Sequence, residues 1–437
     1  MTIDLSQVKE ITIPDGNVVK IEDASSNVLW KAETGFGYTI VKIDETVANP
    51  YDRVTYPASV TINSKLYKNC IPQSGFTEAR GTSLNSWIGH KLIEGIQPVA
   101  MDSSGNWITS GYSLTDSTAW NSSYDWFTEF PFRWMAWYKT GSDVYVIFSD
   151  NNNNPDTTIF QDYAFLNNSN QRVPNFHFGC FDATVETVSI QGTSQDVLRS
   201  KRVSSKPKTN VTIGSFINYA KNRNLQSGLN DFDIITYYQC MYLIGLFVTL
   251  YKTTDCQGFS NDGSYGLGKG RVGMLDSSNI TGGTLINGMS GTTANQSTMA
   301  TFFWIHDIWG NVNNYIGGAL PDSNRRLMTQ TGRISSTDAN DYNLTNLTPS
   351  LSSNVTNNTI TTIAGGRDSG PFPQSTSSGV NNKYYADAGT VMNRYPYWGA
   401  YYGRNEYGGI FSIEFSTQSY NSSAFTGSRL SYKGGRT

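Results

Sequence analysis

The sequence predicts an α+β protein in which strand-forming stretches precede two helices, and three observations lead there. Residues 36 to about 190 carry short runs of β-type residues with period-two alternation. From about residue 209 two segments adopt helical spacing, the second apolar on nearly every side. Beyond Cys256 the chain turns rich in Gly, Ser, Thr and Asn with little periodicity, which predicts long loops. With 437 residues the chain is long enough for two or three units, and the changes in pattern divide it at 1–34, 35–190 and 191–437.

Residues 1–34 contain two turn signals, Asp15-Gly16-Asn17 and Ser25-Ser26-Asn27, between short β-type runs. So few residues bury too little surface to fold alone, and their strands are expected to dock on the rest of the chain or on a partner. In 35–190 the clearest element is a β-hairpin. Phe132, Trp134, Ala136 and Tyr138 alternate with Arg133, Met135 and Trp137, and Thr140-Gly141-Ser142-Asp143 turns the chain into Val144–Phe148. Asn151–Asn154 with Pro155 forms a loop after it. In 191–437 Thr209 or Thr212 is expected to cap a helix through Phe216, Ile217 and Ala220 that ends between Asn224 and Gly228, and Asn230 or Asp231 to cap a second. There Ile234, Tyr238, Met241, Gly245 and Val248 recur at steps of four and three, with Ile235, Tyr242 and Leu246 on the neighbouring face. At Ile234–Leu250 this run is short for a bilayer and carries Thr236 and Gln239, so it reads as a core helix. No fixed-period repeat supports a propeller or β-helix.

Composition narrows the function. Only 15% of residues are charged, so Asn, Ser, Thr and Gly must supply most of the polar surface, as in extracellular and virion-type β-rich proteins. The net charge of −3 and the lack of a long basic run remove the footprint of a nucleic-acid binder. The one basic cluster, Arg199, Lys201, Arg202, Lys206 and Lys208, reads as a solvated strand and loop. Cys70, Cys180, Cys240 and Cys256 are widely spaced, form no metal-ligand pattern and read as free thiols. The start of the chain lacks the basic and apolar pattern of an export signal. His90, His177 and His306 lie far apart, so no metal and no cofactor is expected; His306-Asp307, in an aromatic run, reads as structural. Gly266–Arg271 lacks the strand-to-helix context of a phosphate loop. Asp125 and Glu129 could form the paired carboxylates of a glycan-cleaving site, although carboxylates at such spacing are common.

The last 45 residues have the composition of a recognition surface. Tyr and Trp offer stiff, amphipathic contact area, and Ser, Gly and Asn adaptable hydrogen bonding. The alternative is that Tyr and Gly build buried, turn-rich β structure. One part of the surface is assigned to Asn393, Tyr395, Tyr397, Trp398, Tyr401, Tyr402, Arg404, Asn405 and Tyr407. Ser412, Glu414, Ser416, Gln418, Tyr420, Asn421, Ser423 and Phe425 supply the rest. Ile410, Phe411, Ile413, Gly427, Arg429 and Leu430 are assigned to scaffold.

Two motifs carry a resemblance. Trp309-Gly310-Asn311-Val312 resembles the motif of the formylglycine-generating-enzyme branch of the C-type-lectin-like fold, with Asn313-Asn314-Tyr315 where that family more often has Trp/Tyr-Glu/Gln-Trp. Gly409-Ile410-Phe411 followed by Gly427-Ser428-Arg429-Leu430-Ser431-Tyr432 resembles the end of variable proteins diversified by retroelements in phages and gut bacteria. Over roughly 36–437 the chain, with YTIVKIDETVANP and EFPFRWMAWYK, is similar to phage tail proteins of that type. The resemblance implies a C-type-lectin-like domain with two helices and long loops after β-rich N-terminal sequence, a variable region at about 390–432, and a trimer. It also implies a protein of the virion tail that faces the medium, holds other tail or baseplate proteins through its N-terminus, attaches to a host-surface protein or glycan without chemistry, and neither enters a membrane nor binds nucleic acid. The chain departs from the enzyme branch, whose oxidising cysteines come late, because Cys256 is its last. It also lacks the Glu-Pro-Asn and Gln-Pro-Asp loops of calcium-dependent lectins. A virion glycan depolymerase and a structural baseplate component remain as alternatives.

Overall fold

The computed structural model describes residues 8–12, 20–23, 28–31, 37–150, 155–203, 206–257, 300–322, 324–334, 342–344, 358–378, 387–388, 395–401, 408–417 and 420–436. The elements that matter here are β1 (Tyr38–Asp44), β2 (Gln97–Met101), β3 (Asp125–Pro131), β4 (Trp134–Thr140), β5 (Asp143–Ser149), β6 (Asn175–Gly179), α1 (Ile213–Ser227), β7 (Phe232–Ile234), α2 (Tyr237–Tyr251), β8 (Asn313–Tyr315), β9 (Tyr395–Trp398), β10 (Ile413–Thr417), β11 (Thr426–Ser428) and β12 (Leu430–Tyr432). Among the described residues two α-helices and many strands make an α+β arrangement.

Two antiparallel sheets frame the core. One runs Phe160–Gln161, β4, β5, β1, Val54–Thr55, and the other β7, β12, β6, β3, β2, Trp107–Ile108. The expected hairpin is β4–β5, in register from Trp134↔Ser149 to Thr140↔Asp143, with Gly141 at φ 59° in its two-residue turn. Asn151–Asn154 lie outside the described residues.

Helix α2 lies between these sheets. The Tyr242 ring has its centroid 6.1 Å from that of Phe130 on β3, 5.3 Å from Phe148 on β5 and 5.5 Å from Phe176 on β6. Every α2 residue is buried, which explains why its sequence has no polar face. Gly245 is where the helix comes closest to the β4–β5 hairpin: a Cβ there would sit 3.1 Å from Met135 Sδ and from Val146 Cγ1. The helix starts later than expected. Residues 232–234 form β7, which pairs with β12 from Phe232↔Tyr432 to Ile234↔Leu430, so neither Asn230 nor Asp231 caps α2. Thr236 does, in a capping box: Gln239 N–H donates to Thr236 Oγ1, and Gln239 Oε1 accepts from Thr236 N–H. Helix α1 starts at the expected Thr212 and ends at Gly228 in the left-handed region, φ 73°.

Residues 190 and 191, where the sequence pattern places a boundary, lie within a hairpin. Thr184–Ile190 and Thr193–Arg199 form one hairpin whose turn is Gln191-Gly192. Strand β12 from the chain's end pairs with β6, His177↔Tyr432. One hydrophobic core extends from Ile40 to Phe415. The strands Val8–Thr12, Lys20–Asp23 and Val28–Lys31 pair with one another as a separate antiparallel sheet.

Buried charges tie the layers together. Arg429 is fully buried, and its guanidinium donates to the carbonyls of His306 and Asp307 at 2.7 Å and of Gly179 and Cys180 at 3.4 Å, with Asp182 Oδ1 2.6 Å away. Asp125, also fully buried, takes Arg199 Nε at 2.9 Å on one oxygen and Arg223 Nε at 3.0 Å on the other. Burial opposes its ionisation, but the two guanidiniums outweigh that and hold the carboxyl below the usual range. Arg199 is therefore no part of a solvated basic cluster; it and Lys201 both pair with Glu186. The four cysteines are free thiols.

Arg429→Met should leave Asp182 buried without this cation and remove the guanidinium's hydrogen bonds to four buried carbonyls. Loss of one partner from a buried ion pair costs about 3–5 kcal/mol, so the variant is expected to melt well below the parent in thermal and urea unfolding. A melting curve that superimposes on the parent's would show that the chain end does not depend on this contact.

Candidate ligand-binding surface

The C-terminal segment is built on a four-stranded sheet of order β10, β9, β8, β11. Strands β9 and β10 pair antiparallel, Trp398↔Ile413 and Tyr397↔Glu414, while β8 and β11 run parallel, Asn314↔Gly427. The two sequence motifs are thus hydrogen-bonded neighbours. Trp309 is fully buried and meets Phe247 of α2 edge-on at 6.1 Å. Gly310, at φ 100°, donates its N–H to Gly399 O at 3.1 Å. Asn311 Nδ2 donates to Asp182 Oδ2 at 3.2 Å, beside Arg429. His306 stacks on Phe181 at 4.8 Å in the core, as its aromatic setting implied.

Several residues assigned to the surface belong to this core instead. Tyr395 is 3% exposed, Tyr397 8%, Trp398 0% and Ser412 3%. The Tyr397 ring packs on Tyr315 at 5.1 Å, the Trp398 ring on Phe178 at 5.9 Å, and Trp398 Nε1 donates to Ile410 O at 2.7 Å. A short strand in a sheet covered on both sides buries its odd and even residues alike, so alternation gives no outward face. The scaffold residues Ile410, Phe411, Ile413, Gly427, Arg429 and Leu430 are buried as expected.

The rest of the assignment divides in two. Asn393, Tyr402, Arg404, Asn405, Tyr407 and Gln418 lie outside the described residues, and Ser416 is placed only as part of β10. Tyr401, Glu414, Tyr420, Asn421, Ser423 and Phe425 are partly or fully exposed. Tyr420 is 70% and Phe425 40% exposed, and the Phe425 ring stacks on Tyr401 at 5.0 Å, 20° from parallel. The loop beneath is pinned at four points. Tyr315 Oη donates to Asn421 O at 3.0 Å, Asn210 N–H to Ser423 O at 3.0 Å, Asn313 N–H to Phe425 O at 2.9 Å and Thr426 N–H to Ser423 O at 3.2 Å. Exposed rings on a backbone held this way lose little freedom on contact with a ligand. The sequence singled out Tyr420 and Phe425 but not their support, because Asn210 and Tyr315 come from elements more than a hundred residues away.

The carboxylate pair offered for hydrolysis has no free acid. Asp125 is spent on Arg199 and Arg223. Glu129 lies 3.1 Å from His177 Nε2 and takes Arg436 Nε at 3.0 Å, Arg436 Nη2 at 2.9 Å and Gln97 Nε2 at 2.9 Å. Burial opposes ionisation of Glu129, but His177, Gln97 and Arg436 outweigh it and pull the carboxyl down to about 2. A glycosidase acid needs a carboxyl that keeps its proton, and both of these are shifted the other way. Among the described residues no group of three or more His, Cys, Asp or Glu is placed to hold a metal ion, and no helix is long and apolar enough to cross a membrane.

Acid should unfold the chain in two stages. Burial lowers His90 from its ordinary 6.5 to about 4 and also lowers His177, so below pH 6.5 the unfolded chain binds protons that the folded one refuses and stability falls. Glu129, depressed from 4.5 to about 2, stabilises above pH 4.5 and loses that contribution as the pH drops towards 2. Melting temperature followed from pH 7 to 2.5 should decline throughout; His90→Gln should flatten the upper part and Glu129→Gln the lower. A curve flat from pH 7 to 4 would contradict the buried neutral histidines.

Truncation separates surface from core. Trp398→Ala should cost about 3–5 kcal/mol of folding stability, whereas Tyr420→Ala should stay within about 0.5 kcal/mol of the parent. Equal losses in chemical denaturation would place Tyr420 in the core.

No family model matches this sequence, and no curated protein is similar to it. Among solved structures the chain is similar to one described as Major Tropism Determinant U1 Variant, at 12% identity over 97% of this chain and 94% of that one, with a TM-score of 0.24. A likeness this low fixes neither fold nor function.

Proposed function

We propose that this chain is a receptor-binding protein of a virion tail tip or fibre, which attaches to a host-surface protein or glycan without altering it. The observation that carries the reading is the pair of exposed rings Tyr420 and Phe425 on a loop pinned to a packed sheet, with Phe425 stacked on the half-buried Tyr401. Support also comes from the two motifs that resemble retroelement-diversified variable proteins, since the chain end and the Trp309–Val312 turn meet through Arg429 and the β8–β11 pair. In this reading residues 191–437, with both helices, form a C-type-lectin-like unit, the variable region lies at about 390–432, and the segment 1–34, whose strands pair as a separate sheet, holds a neighbouring tail or baseplate protein. A trimer would present three such surfaces, and weak contacts would gain through avidity. The ion-paired state of Asp125 and Glu129 favours binding over the depolymerase alternative.

The test is a fluorescent fusion titrated onto a panel of bacterial strains by flow cytometry. Saturable binding to at least one strain is expected. Tyr420→Ala and Phe425→Ala should each weaken it by about 2 kcal/mol, roughly thirtyfold, if they are hot spots, with unchanged melting. Binding that both variants retain in full would remove this surface from the contact, and surface polysaccharide shortened by the parent protein would establish chemistry in place of attachment.

A further inference from the structure

Far from the C-terminal surface in sequence, a cavity of about 310 Å³ opens between β4, residues 158–159, the Asn63 turn and the turn Gly365–Asp368. Its size is at the lower end of the range for small-molecule sites. The wall is preformed. Gly365 stands at φ +61°, and a Cβ there would come 2.7 Å from Lys139 Cβ, so the turn sits directly on β4. The same turn is closed by Gly365 N–H to Gly370 O at 2.8 Å and Gly370 N–H to Gly366 O at 2.7 Å.

The charges around the cavity cancel. Lys139 Nζ spends its three protons on Glu45 Oε2 at 2.8 Å, Ile363 O at 2.8 Å and Gln374 Oε1 at 2.9 Å. It therefore lends the cavity its alkyl stem and no free cation. Arg367 lies over the Tyr163 ring at 5.2 Å and beside Asp368, with Nε 3.5 Å from Oδ1, an ion pair too long for a good hydrogen bond. Trp137 Nε1, Arg367 Nε and Asp368 Oδ1 are buried without a hydrogen-bond partner. The wall thus combines the half-buried ring of Tyr138, unused donors, one unused acceptor and no net charge, with Trp137 packed behind it at 1% exposure.

From this we infer that the cavity is a binding subsite for a neutral pyranose sugar. A sugar ring offers an apolar face to aromatic surface, and hydroxyls that donate to Asp368 and accept from Arg367. An anion would find both cations already neutralised, and a purely apolar ligand would leave the polar groups of the wall unpaired. The inference does not rest on the surface around Tyr420.

The experiment is saturation-transfer NMR on the full chain, with glucose, galactose, mannose and N-acetylglucosamine tested one at a time, and with N-acetylneuraminic acid as an anionic competitor. At least one neutral sugar is expected to receive saturation. The exposed Thr158 allows a blocking change: Thr158→Phe should abolish the signal, Arg367→Ala should reduce it at least twofold, and Tyr420→Ala should leave it intact. No transfer to any of the four sugars, transfer that survives Thr158→Phe in a variant that melts like the parent, loss in Tyr420→Ala, or displacement by N-acetylneuraminic acid would each overturn the inference. Should Thr158→Phe melt early, the Arg367→Ala result decides.

Discussion

The buried guanidinium of Arg429 is the contact on which the arrangement of this chain depends. A planar fork of donors reaches several acceptors at once where a lysine would reach fewer, and here it holds four carbonyls and a carboxylate from three stretches: the end of β6, Asp182, and the turn that opens the Trp309–Val312 motif. The residue sits between β11 and β12, so the same few residues complete the small C-terminal sheet on one side and the six-stranded sheet on the other. A hydrophobic side chain in that place could pack, but it would donate to none of these buried carbonyls. The interaction therefore does more than stabilise. It sets the register in which the end of the chain meets its middle, and it does so beside Gly179, where a Cβ would come 2.6 Å from Leu430 O.

Around that contact the protein is organised by a helix without a wet face. Because α2 is covered by a sheet on each side, its sequence lacks the polar stripe that usually marks a helix as amphipathic, and its N-terminus must be satisfied from within. The Thr236–Gln239 capping box meets that need, and Gln239 Nε2 also reaches Ser431 Oγ at 2.8 Å on β12. Buried polar groups thus appear where elements cross, at Asp125, Glu129, Gln239 and Arg429. Each carries partners from distant parts of the chain, so the polar core specifies which elements meet while the apolar core supplies the bulk of the burial.

The consequence for the outer surface is a division of labour. Asp125, Glu129 and Arg429 are consumed in internal pairs, and the large side chains most exposed to solvent among the described residues near the chain end are the aromatic rings of Tyr420 and Phe425, the latter stacked on Tyr401. A loop fixed by main-chain hydrogen bonds can vary its side chains without disturbing the sheet that carries it. That separation of scaffold from display suits a protein whose task is contact.

The sequence by itself determined the α+β class, the hairpin around Gly141-Ser142, the existence of both helices, two candidates for the cap of the first, the free cysteines and the scaffold role of Arg429, Phe411 and Leu430. These rest on local rules: period, turn chemistry, and the need to bury long apolar runs. It misplaced the cap of α2, because Asn230 and Asp231 are as good as Thr236 by local preference and only the pairing of Phe232–Ile234 with β12 commits them elsewhere. The boundary drawn at 190 falls in a hairpin, whose turn shows the same Gly and polar residues as a linker. Most of all, the sequence could not divide the terminal aromatics. Tyr397, Trp398 and Tyr420 have the same chemistry and similar neighbours along the chain, and their exposure is decided by what lies across from them: Tyr315 and Phe178 cover the first two, while nothing in the sheet covers the third. Burial is a property of contacts between residues distant in sequence, so only the tertiary structure could assign it.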